Sequence, residues 1–202
     1  NIEELKRCSQ IYNDDFKGGY LAAKHLIQTR KKRCAVLMTD EKNSTSRSRL
    51  EGFETALRES GLHIEKDLRR FIFEDKNKND YFISDTDMGL QYAYRTMNEM
   101  LNEGLSFDSV FCFNDMVAFG VLKSLSERGI KCPEEMGVIG FDDVFFSSLS
   151  TPPLTTIRIK KHELGLRAFN ILKKIMNEKE RKTVHEKLDV NLIVRNSTQC
   201  ED

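Results

Sequence analysis

The chain has 202 residues, with 32 Lys and Arg balanced by 32 Asp and Glu, so its formal net charge is zero. That balance leaves no basic footprint for nucleic acid, and the residues read here are expected to hold neither a membrane-spanning apolar run nor a signal peptide. An apolar content of 39% in a chain of this length fits one large or two small domains with an ample core.

Residues Ser9–Tyr12 read as the end of a strand, and Asn13-Asp14-Asp15 can cap a helix from about Phe16 to Gln28. Gly18-Gly19 inside that helix costs about 1 kcal/mol each against Ala, which predicts close backbone approach to a neighbour or ligand. Cys34–Met38 is the next strand. The polar loop Asp40–Ser48 runs into a helix with Leu50, Phe53 and Leu57 on one face, ended by Gly61. Phe71-Ile72-Phe73 forms a strand, and the long polar loop Glu74–Asp85 carries Tyr81-Phe82-Ile83. Thr86-Asp87 caps a helix with Leu90, Tyr94, Met97 and Leu101 at helical spacing.

The most informative stretch follows. An apolar run to Phe113 stops at Asn114-Asp115, and a helix with Ala118, Val121, Leu122 and Leu125 on one face closes at Gly129. A second apolar run, Met136–Phe141, stops at Asp142-Asp143. Short apolar strands alternating with an amphipathic helix make a βαβ unit with parallel strands. Right-handed crossover brings Asn114 and Asp142 to the same edge of the sheet, the carboxyl edge where open α/β sheets bind ligands. Thr151-Pro152-Pro153 is rigid and non-helical, and marks where the chain leaves one lobe for another. Leu154–Ile159 is β-rich, His162–Met176 is a strong helix, and Leu188–Val194 is a last strand.

No catalytic or metal-ligating set emerges. The four histidines are scattered without ligand spacing, and no phosphate loop, nucleophile elbow or CxxC is present. The five cysteines are odd in number and widely spaced. Cys34 and Cys112 fall inside predicted strands, where a reduced, buried thiol is expected, and this points to a cytoplasmic protein. The chain begins at Asn1 rather than Met, and is expected to be a piece of something longer.

Four stretches carry a family resemblance: DDFKGGYLAAKHLI (14–27), SRSRLEGFETALRESGL (46–62), SVFCFNDMVAFGVLKSLSERGIKCPEEMGVIGFDD (109–143) and TPPLTTIRIKKHELGLRAF (151–169). Together with VNLIVRNST (190–198), they resemble the effector-binding region of LacI/GalR transcription regulators, which share the fold of periplasmic sugar-binding proteins. DDFKGGYLA also resembles the arabinose-repressor branch, which joins this domain to a GntR-type DNA reader. The resemblance implies a parallel sheet flanked by helices in a two-lobe, periplasmic-binding-protein type I-like architecture, with one lobe largely missing. Residues 1–13 would be the end of the first lobe and its crossover, and 14–153 the second, effector-binding lobe. Residues 154–187 would be a crossover strand and helix of the first lobe, and 188–202 the last strand of the second lobe with a tail.

The resemblance also implies site residues. Asn114 and Asp142 are expected to hydrogen-bond an effector, although an N-cap and a turn role would explain them as bare sequence features. Arg49, four residues before Phe53, is expected to grip it, in preference to Arg47. A cation in the first turn of a helix opposes the macrodipole, so its placement needs a reason. Its planar fork can bridge adjacent hydroxyls or a phosphate. Asn43 and Thr45 would face the same cleft, and Phe82 is a candidate for stacking on a sugar face. Phe119 and Phe145 are expected at a homodimer contact.

The implied partners are a sugar or related polar metabolite and operator DNA, the latter held by a reader outside these residues, without a cofactor. The alternative is a periplasmic sugar receptor of the same fold, and an enzyme would need an acid–base or nucleophile set that the sequence lacks.

Overall fold

The computed structural model describes residues 8–40, 42–72, 86–177 and 183–199. Phe82 and the whole of the predicted 74–85 loop lie outside them. Among these residues eight strands and five α-helices follow one another: β1 (Gln10–Asn13), α1 (Asp15–Gln28), β2 (Cys34–Met38), α2 (Ser44–Glu59), β3 (Arg69–Phe71), α3 (Thr86–Asn102), β4 (Ser109–Cys112), α4 (Asp115–Glu127), β5 (Gly137–Asp142), β6 (Thr155–Arg158), α5 (Lys161–Asn177), β7 (His185–Leu188) and β8 (Asn191–Ile193).

Six strands form one sheet in the order β3-β2-β4-β5-β6-β8, parallel except for β8, which runs antiparallel to β6. Successive side chains of a strand point to opposite faces, and β2 shows it. Cys34, Val36 and Met38 join the layer under α1 and α2, with Phe53, Phe111, Ile139 and Phe141. Ala35 and Leu37 join the other layer, with Met97, Met100, Val117 and Val121 of α3 and α4. Both faces are therefore covered, which is why the central strands are apolar without alternation. Phe53 and Phe111 stack with centroids 4.6 Å apart, fixing α2 on the sheet.

The paired glycines of α1 do meet a neighbour. An added Cβ on Gly18 would strike the Phe141 ring, and one on Gly19 would lie 1.9 Å from the Arg49 carbonyl oxygen. Gly52 of α2 returns the contact, with its missing Cβ 1.9 Å from the Phe16 carbonyl oxygen. The two helices thus cross backbone to backbone, which sets the start of α1 beside the first turns of α2.

A second, small body consists of the parallel pair β1-β7 with α5 against β1. None of the α5 residues is buried, and Leu166, Phe169, Leu172 and Met176 lie open to solvent. The predicted partition needs correction at two points. Thr155–Arg158, assigned to the first-lobe crossover, lies inside the six-stranded sheet between β5 and β8. Thr155 and Thr156 are fully buried there, their hydroxyls engaged by Thr198 and Asp115. The predicted single strand Leu188–Val194 is two strands, one in each sheet, divided at Asp189-Val190. The chain thus passes between the two bodies after Asn13, after Arg158 and after Leu188.

Candidate effector-binding site

The sheet order places β2 where the chain first steps out to β3 and then back past itself to β4. Crevices of open α/β sheets lie at such a switch point, beyond the carboxyl ends of the strands. Three helix starts and one strand end converge there. Asp14 caps α1, its Oδ1 accepting from the Lys17 amide at 3.0 Å. Asn43 caps α2, its Oδ1 accepting from the Thr45 amide at 2.8 Å and the Ser46 amide at 3.2 Å. Asn114 caps α4 through the Val117 amide at 3.0 Å. Asp142 ends β5.

Arg49 is the hub. Its Nε donates to Asp15 Oδ1 at 2.9 Å, its Nη1 donates to the Phe113 carbonyl oxygen, and its Nη2 lies 3.6 Å from Asp142 Oδ1. The guanidinium carbon sits 3.6 Å from the Phe141 ring centroid and 4.6 Å from that of Phe113. This geometry supplies the reason for a cation at a helix start: two carboxylates, a carbonyl and two aromatic faces outweigh the macrodipole.

The carboxylates respond to the same burial. It raises Asp142 to about 6 against the pull of Arg49, with Asp115 adding a further push upward. Burial also raises Asp15, again against Arg49. Asp142 holds a φ of 103° and Asp143 one of 48°, a left-handed pair that is costly for residues other than glycine. Asp143 is pinned by Arg195 at 2.8 Å and by Arg158, and these two arginines hold it below the ordinary carboxylate value although burial works the other way.

Sequence reasoning named Arg49, Asn114 and Asp142, and the fold brings them together: Arg49 approaches Asp142 and bonds the carbonyl next to Asn114. Asn114 is also an N-cap, its Oδ1 occupied by the Val117 amide. Asn43 and Thr45 sit one turn or more before Arg49, with Asn43 exposed and committed to the cap. Asp15 is, in the sequence alone, one of three possible capping residues; in the fold it is the nearer of the two carboxylates beside Arg49.

Asp115 proves structural. Fully buried, it accepts from the Val144 amide, the Ser147 hydroxyl and the Thr156 hydroxyl, tying α4 to the loop after β5 and to β6. Cys34 and Cys112 are buried free thiols, with burial pushing Cys34 up to about 11. Among the described residues no cluster of His, Cys, Asp and Glu could hold a metal ion, and no helix is long and apolar enough to cross a membrane.

The chain matches the model of the periplasmic binding protein-like domain over residues 23–198. It is 34% identical over 192 residues to the HTH-type transcriptional repressor PurR of Haemophilus influenzae strain KW20, an alignment covering 94% of this chain and 53% of that protein. The chain thus spans about half the length of the curated relatives it matches.

Among solved structures, a LacI family transcriptional regulator from Enterococcus faecium with bound ribose superposes with a TM-score of 0.79 at 28% identity, covering 94% of this chain and 65% of that one. A LacI family regulator from Enterococcus faecalis, also with bound ribose, gives 0.77 at 29% identity, covering 94% and 63%. By fold and by sequence, the chain belongs to the periplasmic binding protein-like domain family, with LacI-family transcriptional regulators as its homologues.

Proposed function

We propose that this chain is the effector-binding part of a cytoplasmic, non-catalytic, DNA-binding transcriptional regulator. A small hydroxyl-rich ligand, a sugar, sits at the carboxyl edge of the six-stranded sheet, between the two lobes. The observation that carries this reading is the convergence of Asp15, Arg49, Asn114 and Asp142 from four separate segments at the switch point of the sheet. A carboxylate accepts two hydroxyls at once, and charge-assisted bonds are the stronger kind. Ribose bound to two structural neighbours supports a sugar as the ligand class.

Function then follows as a population shift. Ligand that touches both lobes favours one relative orientation, and the three chain passages between the sheets carry that orientation to paired DNA readers elsewhere in the full protein. Typical couplings of this kind are about 1–3 kcal/mol, enough to change operator affinity several-fold or more.

The test is a thermal-shift and calorimetric screen of sugars on the full protein, repeated with Arg49→Ala and Asp142→Ala. A stabilising sugar should lose about 1.5–3 kcal/mol of binding free energy in each variant, the scale of hydrogen bonds to charged groups. Unchanged affinity in both folded variants would remove the site.

A further inference from the structure

The cation of this site is committed before any ligand arrives. The Arg49 guanidinium packs against the Phe141 and Phe113 rings, and two of its edges are taken by Asp15 and the Phe113 carbonyl. Its side chain is 6% exposed, against 15% for Asp15 and 26% for Asp142. A ligand entering the crevice therefore meets carboxylate oxygen first, with the Nη2 edge of Arg49 reachable only beside Asp142.

The charges around it deepen the bias. Arg49 stands against two carboxylates, and Asp115 lies behind Asp142 as a third source of negative potential. Asp14 lies next to Asp15 and is itself paired with Lys187. Lys161 is the other cation near Asp142, and its Nζ is held on the Asp143 carbonyl oxygen at 3.0 Å. Arg158 and Arg195 are both spent on the Asp143 carboxylate. A phosphate here would face two carboxylates with its natural counter-cation already paired, and like charges at short range repel. A hydroxyl would instead donate to those oxygens.

We infer that the site selects an uncharged, donor-rich sugar and rejects the phosphorylated or carboxylated form of the same ring. This rests on the effector reading above and decides between the two ligands that an arginine fork alone leaves open.

The experiment uses matched pairs on the full protein at pH 7.5: pentoses and hexoses, starting with ribose and glucose, each beside its 5- or 6-phosphate, with inorganic phosphate as an added probe. Calorimetry should find any sugar that binds doing so at least tenfold more tightly than its phosphate, and no binding of inorganic phosphate. The isosteric Asp15→Asn change should narrow that ratio tenfold or more by giving Arg49 an unpaired edge. A sugar phosphate that binds as well as or better than its neutral partner overturns the inference and leaves the effector site standing. Binding of neither member of any pair overturns the effector reading itself.

Discussion

Asp142 bears two costs at once, a left-handed backbone and a carboxyl buried beside other carboxyls. Its folded value of about 6 lies above its ordinary 3.8, so the folded chain takes up a proton between these values. The group's contribution to stability is then complete below pH 4 and is lost as the pH rises through 6. Asn at this position removes the titration, and asparagine accepts a positive φ readily. Arg49 would keep Asp15 and the Phe113 carbonyl.

Asp142→Asn should therefore stabilise the ligand-free protein by roughly 1–3 kcal/mol at pH 7.5, with the gain gone below pH 4. Urea unfolding at a series of pH values checks this. A variant equal to or weaker than its parent at pH 7.5 would mean the carboxylate is well solvated after all. That a stabilising change lies so near, at a strand tip facing a crevice, is what a residue retained for binding looks like.

The same scale shows what a linear sequence hides. Asn114 and Asp142 could be found because each stops an apolar run, and Arg49 because a cation at a helix start demands an explanation. Asp15 could not be told from Asp14, since either can cap. Its role depends on an arginine 34 residues away, and that contact exists only once the two helices cross.

At the scale of elements, the crossing of α1 and α2 positions the hub. Gly19 and Gly52 each face the backbone of the other helix, so neither can gain a methyl group without separating them. Gly52→Ala should cost about 2–3 kcal/mol, as overpacking does, and should weaken sugar binding because Arg49 moves relative to Asp15. Gly165→Ala is the control. It lies within α5 with nothing within 4 Å of its missing Cβ, so the substitution should be neutral or stabilise by up to about 1 kcal/mol. Equal effects of the two changes in denaturant melts would show that helix propensity, and not the crossing, governs both.

Most elements were legible from apolar periodicity and from caps. The helix after β2 began earlier than its apolar face suggests, at Ser44, because Asn43 supplies the cap. The sheet membership of β6 was not legible. LTTIRI follows a Pro-Pro break, and nothing in its pattern says which of two sheets it joins. That is decided by long-range partners, Asp115 on Thr156 and the Arg195–Thr198 segment on Thr155.

At the scale of the molecule, one surface carries a cluster of exposed apolar side chains. Phe145, Phe146 and Leu149 follow β5 in a short helical turn and are largely solvent-exposed. Beside them a groove of about 450 Å³ runs between α4 and the start of α3, lined by Leu90, Phe119, Leu122, Phe146 and Leu149. Of the two residues expected at a homodimer contact, Phe119 lines this groove, whereas Phe145 stands edge-on to Phe146, with ring centroids 5.6 Å apart.

We propose that this apolar patch, rimmed by Lys123, Ser126 and Ser150, is a self-association surface. A two-fold contact would set the groove of one copy against the aromatic turn of the other, since such interfaces are self-complementary. The loop that carries these aromatics begins at Asp142-Asp143, so a partner copy would sense the strand tip proposed to meet the ligand. Phe146→Glu places a charge in that contact without touching the core. In sedimentation equilibrium it should convert a dimer to monomer at micromolar concentration, with the melting temperature of the monomer unchanged. Undiminished self-association would move the interface to another face of the molecule.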